Sequence, residues 1–269
     1  MIRKIFLCMC LVLGFCGCAQ KDILETDILK AGKADAIVLL HQGKTMVIDT
    51  GEEDDGEDLV SFLRNKKVTS IDILIITHFD KDHVGGADTL IRDMDVNTIY
   101  VPDYVSEHPE YVSFMNAMQE KGYTPVVLNQ PESFSFGNTE VLIEPPLSYE
   151  PYNNDEPDNN FSLITTVVHG DNRLVFAGDI EKERIAEWVE TDPGPCTFLK
   201  LPHHGVYNKN LPLLLEELQP AYVAITSSDK NPAEENTLAL LQTYTKNILE
   251  TRAGHITVIS DGKTIRMSN

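Results

Sequence analysis

A chain of 269 residues with 42% apolar and 24% charged residues has the composition of a folded globule, which excludes disorder as its main state and admits one large domain or two small ones. The formal charge of −20 repels polyanions, so nucleic acid and anionic headgroups are disfavoured as partners unless local cations intervene. No basic run exceeds Lys66-Lys67, which leaves bound metal ions as a source of positive charge for any phosphate chemistry.

The first eighteen residues read as an export signal. Arg3 and Lys4 precede an apolar stretch from Ile5 to Phe15 that is short for a membrane span, and small residues surround Gly17. The end of this stretch, Phe15-Cys16-Gly17-Cys18-Ala19, resembles the lipobox of bacterial lipoproteins. That resemblance implies lipidation at Cys18 and a membrane-anchored, extracytoplasmic protein. Residues 19–31 would then be a short tether and 32–269 one folded domain. Cys8, Cys10, Cys16 and Cys18 all lie in the leader, so Cys196 is alone in the body and reads as a small buried apolar residue.

In the body, strands and helices interleave. "DAIVLLHQGKTMVIDTG" predicts two strands joined at Gln42-Gly43-Lys44, and "DLVSFLRNKK" has helical spacing at Leu59, Phe62 and Leu63. The acidic residues 52–55 before it read as a solvated helix start, since they lack the ligand pattern of a calcium loop. "IDILIITH" is a strand buried on both faces. "GADTLIRDM" and "HPEYVSFMNAMQEKG" follow as helices, the second with Pro109 in its first turn and Gly122 as a stop. Short strands are expected at "TPVVLN", "TEVLIEP", "SLITTVVHG", "RLVFAGD", "CTFLKLP", "AYVAITS" and "HITVIS". Amphipathic helices are expected at "EKERIAEWVE", "NLPLLLEELQP" and "AEENTLALLQTY". "SYEPYNNDEPDNN" is the one long polar stretch.

Three strand ends carry residues suited to metal. His78, Asp80, Asp82 and His83 follow the strand ending near Thr77, with Gly85 and Gly86 expected to turn the chain into the next helix. Asp179 follows "RLVFAG", and His203 and His204 follow "TFLKLP". Alone, the first loop is equally a hydrated turn; together the three loops imply one site. His41, His108, His169 and His255, each isolated, read as structural or surface residues.

The segment His78-x-Asp80-x-Asp82-His83-x-Gly85-Gly86, with Gly178-Asp179 and a histidine after a later strand, resembles the signature of the metallo-β-lactamase superfamily. Asn159-Asn160-x-Ser162-Leu163, "LVFAGD", "LKLPHHG" and "TRAGHITV" are most similar to the hydrolase domain of ComEC-type DNA-uptake proteins. The resemblance implies an α/β fold, a single-domain αββα sandwich, and two divalent ions, zinc or manganese. His78 and Asp80 would serve one ion, Asp82, His83 and His204 the other, and Asp179 both. Asp82 would take part in catalysis, and His203 would meet the substrate as proton donor or oxyanion contact. Asp80 stands where the common pattern has histidine, and its hard oxygen tilts the site towards manganese. The pattern's central histidine is absent; Asp158 is the candidate ligand there, and Asn160 and Lys200 are candidate substrate contacts.

The implied activity is metal-dependent hydrolysis of a phosphodiester, in a small molecule or a nucleic acid. Two alternatives remain: the same site acting on a lactone, phosphocholine ester or β-lactam, or a non-catalytic surface-anchored binding protein with a degenerate metal site.

Overall fold

The computed structural model describes residues 22–150 and 157–269. Cys18 and the rest of the leader, together with residues 151–156 of the polar stretch, lie outside the described residues.

The first half runs β1 (Leu24–Ile28), β2 (Ala36–His41), β3 (Lys44–Thr50), α1 (Gly56–Asn65), β4 (Ser70–Ile75), α2 (Lys81–Val84), α3 (Ala87–Asp93), β5 (Asp95–Pro102), α4 (Pro109–Lys121) and β6 (Val126–Leu128). The second half runs β7 (Glu132–Phe136), β8 (Thr139–Glu144), α5 (Pro157–Asn160), β9 (Ile164–His169), β10 (Asn172–Phe176), α6 (Lys182–Val189), β11 (Phe198–Lys200), α7 (Leu211–Leu218), β12 (Tyr222–Ile225), α8 (Glu235–Leu241) and β13 (Ile248–Glu250). β14 (Ile256–Ser260) and β15 (Ile265–Ser268) then return to the first half.

One sheet has the order β15-β14-β1-β2-β3-β4-β5-β6 and the other β13-β12-β11-β10-β9-β8-β7. In each half, antiparallel hairpins give way to parallel strands, β3 to β6 and β10 to β13, whose connections must cross back over the sheet and do so mainly as helices. The sheets face each other across Leu39, Met46, Ile48 and Ile75 on one side and Val167, Leu174, Phe176 and Phe198 on the other. The outer face of the first sheet is covered by Leu59, Leu63, Leu90 and Phe114, and that of the second by Ile185, Trp188, Leu211 and Leu215. The result is the expected single αββα sandwich.

Three expectations need correction. The stretch assigned to a tether contains β1, which pairs with β2 and β14 and buries Leu24 and Ile28 completely. Its polar residues hid it: buried Asp27 accepts from Thr257 Oγ1 at 2.8 Å and meets Lys66 Nζ at 2.9 Å, both distant in sequence. The strands β5, β7, β13 and β15 were likewise missed, being partly polar or at sheet edges. Finally, Gly85 and Gly86 have ordinary helical dihedrals, and what requires glycine is proximity. A Cβ on Gly86 would lie 2.4 Å from Thr50 O, and one on Gly85 2.6 Å from Glu53 N.

Candidate metal centre

The chemistry-bearing loops leave the C-terminal ends of β3, β4, β10, β11 and β12, where two half-sheets meet. After β4 the chain extends through Thr77 and His78, and Asp80 begins α2 by accepting the backbone N–H of His83 and Val84 at 3.0 Å. One helical turn therefore turns Asp82 and His83 inward, and both are buried. Asp179 follows Gly178, which has φ +55° and so little room that a Cβ would meet the Ser162 side chain at 2.8 Å. His203 and His204 form a short 3-10 turn after β11, both at positive φ (49° and 52°), a conformation that costs non-glycine residues strain.

The side chains converge. His204 Nε2 lies 2.8 Å from Asp179 Oδ2 and 3.4 Å from Asp82 Oδ2, and His83 Nε2 lies 3.2 Å from Asp179 Oδ2. His78, His83 and Asp179 form one set of donor atoms within 4.8 Å of one another, and Asp82, His83 and His204 another. His78 Nε2 is 3.7 Å from Asp80 Oδ2. Donors bound tetrahedrally to one ion at 2.0–2.2 Å lie about 3.4 Å apart, so these separations suit a shared cation.

The protons decide what the cluster can hold. His83 Nδ1 faces the Asp49 carboxylate at 2.8 Å, so it carries the ring proton. Thr226 Oγ1 donates to Asp35 Oδ1 at 2.7 Å and must accept from His204 Nδ1 at 3.0 Å. Thr77 Oγ1 donates to Asp49 Oδ2 at 2.7 Å and accepts from His78 Nδ1 at 3.1 Å. All three Nε2 lone pairs are thereby aimed at one small space, and none of them makes a hydrogen bond to the described residues; neither does Asp179 Oδ1. Buried lone pairs facing carboxylate oxygens repel unless a proton or metal lies between them, and outer partners that fix the tautomer are characteristic of metal-bound histidine. The donor set fits divalent cations.

The electrostatics favour a proton on the inward nitrogens when no metal takes them. Burial works against the charge of Asp179, but His204, His83 and Lys200 outweigh it and hold the carboxyl well below the usual carboxylate range. Burial likewise opposes the positive charge of His83 and His204. The neighbouring carboxylates, Asp179 foremost, outweigh it and raise both.

Two sequence-predicted contacts change role. Lys200 is fully buried behind the centre, where its ammonium pairs with Asp35 and lies 3.6 Å from Asp179 Oδ1, so it is neither a substrate contact nor a solvated edge residue. Asn160 is also fully buried. Its Oδ1 accepts the backbone N–H of Glu181 and Arg184 at the start of α6, which leaves it no face towards a substrate. Asp158 stands with Asp80 and His108 at the outer rim, the three donor atoms lying within 4.8 Å, so His108 is not isolated. Burial, then Asp80, pushes the Asp158 carboxyl up. His203 is 19% exposed at the rim, its Nδ1 3.2 Å from Glu181 Oε1. Cys196 is buried, as expected, and burial pushes its thiol up to about 12.

Sequence reasoning missed Asp35, Asp49, Thr226 and Glu181. Asp49 and Glu181 carried a usable signal, since each follows or ends a strand within two residues of a recognised motif ("VIDTG", "GDIE").

The profile of the Metallo-beta-lactamase superfamily matches residues 29–226. The chain belongs to this superfamily. It is 27% identical over 250 residues to ComE operon protein 3 of Bacillus subtilis (strain 168), covering 84% of this chain and 32% of that protein. To Recombination protein 2 of Haemophilus influenzae it is 24% identical over 219 residues, covering 79% of this chain and 25% of that one. The chain thus spans about a third or less of these relatives. The metallo-β-lactamase fold protein YhfI from Bacillus subtilis superposes over 91% of this chain and 100% of its own, with a TM-score of 0.59 at 9% identity, a likeness of fold.

Proposed function

We propose that this superfamily member is a phosphodiester hydrolase using two divalent ions, manganese or zinc. The observation that supports it best is the convergence of three inward Nε2 lone pairs on Asp82 and Asp179. His78 and Asp80 would hold one ion with Asp158 in reserve, Asp82, His83 and His204 the other, and Asp179 both. Such a pair, when bound, supplies an activated water and neutralises charge on the phosphoryl oxygens.

The chain's own residues do the rest. Asp49, Thr77, Thr226 and Asp35 keep the imidazoles in the tautomer that presents Nε2. His203 stands at the mouth as the group that contacts the substrate oxygen. Glu181 holds its Nδ1 and is itself held by Asn159 Nδ2 at 3.3 Å. The hydrogen bond from His203 lowers the Glu181 pKa, as expected of a carboxylate that orients an imidazole. The hard oxygen of Asp80 and the similarity to ComEC-type proteins favour a phosphodiester over a β-lactam.

Among the described residues, no helix is long and apolar enough to cross a membrane. If Cys18 is lipidated, as the leader suggests, the chain enters the domain at Asp22, beside His41 and at the end of β3 away from the centre. The site would then face away from the membrane.

The test is a side-by-side assay of bis(p-nitrophenyl) phosphate, a lactone and nitrocefin, with manganese or zinc. Phosphodiester turnover that disappears in Asp82→Ala is expected. A wild-type chain carrying two ions per molecule that leaves the phosphodiester intact would refute the reading.

A further inference from the structure

Two lysines approach the centre, one from behind and one from solvent. Lys200 is sealed in, but Lys33, in the loop between β1 and β2, keeps 35% of its side chain exposed while its Nζ lies 2.7 Å from Asp82 Oδ2. The loop holding it is stitched down. Asp35 N–H donates to Asp82 O at 3.0 Å, Gly51 N–H donates to Asp35 O at 2.8 Å, and Ala34 N–H donates to Ala31 O at 2.9 Å. Ala31 and Ala34 are buried, so the backbone is fixed and the long stem of Lys33 is its mobile part.

A divalent ion on Asp82 Oδ2 competes with the ammonium for the same oxygen, and the two cations repel each other at that distance. The ion has twice the charge and approaches to about 2.0–2.2 Å, so it displaces the ammonium. The released Nζ, on a side chain that is 35% exposed, can turn towards the rim at Asp80, whose charge already acts on it. That rim carries Asp80, Asp158 and Glu181, and the chain as a whole is at −20, so an arriving anion meets repulsion there unless a cation offsets it. Lys33 is the lysine placed to do so.

We infer that Lys33 is the anchor for the substrate's anionic oxygen, competing with the metal for Asp82 in the free chain and turning to the phosphate once the metal is in place. The identity of the anion rests on the phosphodiester reading above; the competition at Asp82 does not.

The experiment uses the full chain as wild type, Lys33→Met and Lys33→Arg. With manganese titrated calorimetrically, Lys33→Met should bind the ion about two- to fivefold more tightly, the scale of a rim ion pair removed. With bis(p-nitrophenyl) phosphate its KM should rise about tenfold, as for loss of a charged hydrogen bond, with kcat within about twofold. Lys33→Arg should restore KM. Inorganic phosphate binding to the manganese-loaded protein should weaken in parallel. If the wild type hydrolyses a neutral lactone but no phosphodiester, the bond assignment fails, and weaker phosphate binding by Lys33→Met still supports the anchor. Equal phosphate affinity in wild type and Lys33→Met would overturn it.

Discussion

His83 and His169 are both buried, both sit beside a strand end and both face a carboxylate, yet their ring protons lie on opposite nitrogens. His83 donates from Nδ1 to Asp49 and turns Nε2 inward as the atom that a proton or a metal takes. At the other end of the sandwich, Ser260 Oγ accepts from Asn172 Nδ2 at 2.9 Å and from Gly262 N–H at 3.2 Å. Its own proton is left for His169 Nδ1 at 2.9 Å. That puts the imidazole proton on Nε2, 3.4 Å from Asp22 Oδ1. His41 completes the far cluster, donating from Nδ1 to Ile23 O at 2.9 Å. Geometry alone groups Asp22, His41 and His169 as readily as it groups the centre's donors. The partner behind the ring is what separates His83 from His169: a carboxylate behind Nδ1 frees Nε2, and a hydroxyl proton behind Nδ1 puts the ring proton on Nε2. The two ends lie about 20 Å apart, the length of β3 at roughly 3.3 Å per residue.

The largest effect that would break this comparison is on metal content. Asp82→Ala should lose about one ion per chain and more than about 10³-fold in turnover, because outer partners of metal ligands alone are worth 10–100-fold. His169→Ala should lower thermal stability while leaving metal content unchanged and turnover within about twofold. Elemental analysis with single-turnover assays reads both. A metal deficit in His169→Ala would show that the far cluster binds an ion after all.

The histidines and aspartates at the centre were legible in sequence because metal chemistry restricts residue type and places the ligands in loops just past strand ends. The roles of Lys200 and Asn160 were not. A lysine beside a motif reads as facing a substrate until its buried partner is known, and Asp35 lies far away in sequence. Asn160 in sequence reads as a substrate contact, although what it does is accept the backbone N–H of Glu181 and Arg184 at the start of α6. β1 escaped for the same reason: Asp27 breaks its apolar pattern, and its compensation comes from Lys66, just past α1, and Thr257 in β14.

A smaller effect sharpens the comparison from behind the ligands. Asp49 touches no candidate substrate position, yet it fixes both Thr77 and His83 and holds φ +56° to do so. Asp49→Asn keeps the shape while weakening the tautomer preference, so manganese affinity should fall about 10–100-fold with the fold retained. Titration against a chelator of known affinity measures it. Ser260→Ala, the matching change at the far end, should leave manganese affinity untouched.

The smallest effect is on the pH dependence of stability after chelation, and its sign differs between the ends. Burial opposes the charge on His83, but Asp179 and Asp49 outweigh it and raise its pKa well above the ordinary imidazole value. A raised folded value means that the stabilisation is complete below the ordinary imidazole range and is lost as pH climbs through the raised value. At the far end the hydrogen bond from Asn138 leads in lowering the Asp22 pKa, with burial opposing and His169 assisting. Its contribution is present above the ordinary carboxylate range and is lost as pH falls. The chelated chain should therefore lose melting temperature on the alkaline side because of the centre, and part of its loss on the acid side should come from Asp22. His83→Asn should flatten the alkaline decline; Asp22→Asn should leave it in place and reduce the acid one. With manganese bound the alkaline trend should reverse, since the ion must displace protons from Nε2 and binds more tightly as pH rises. An unchanged alkaline decline in His83→Asn would mean that the inward lone pairs are not where the proton and the metal compete.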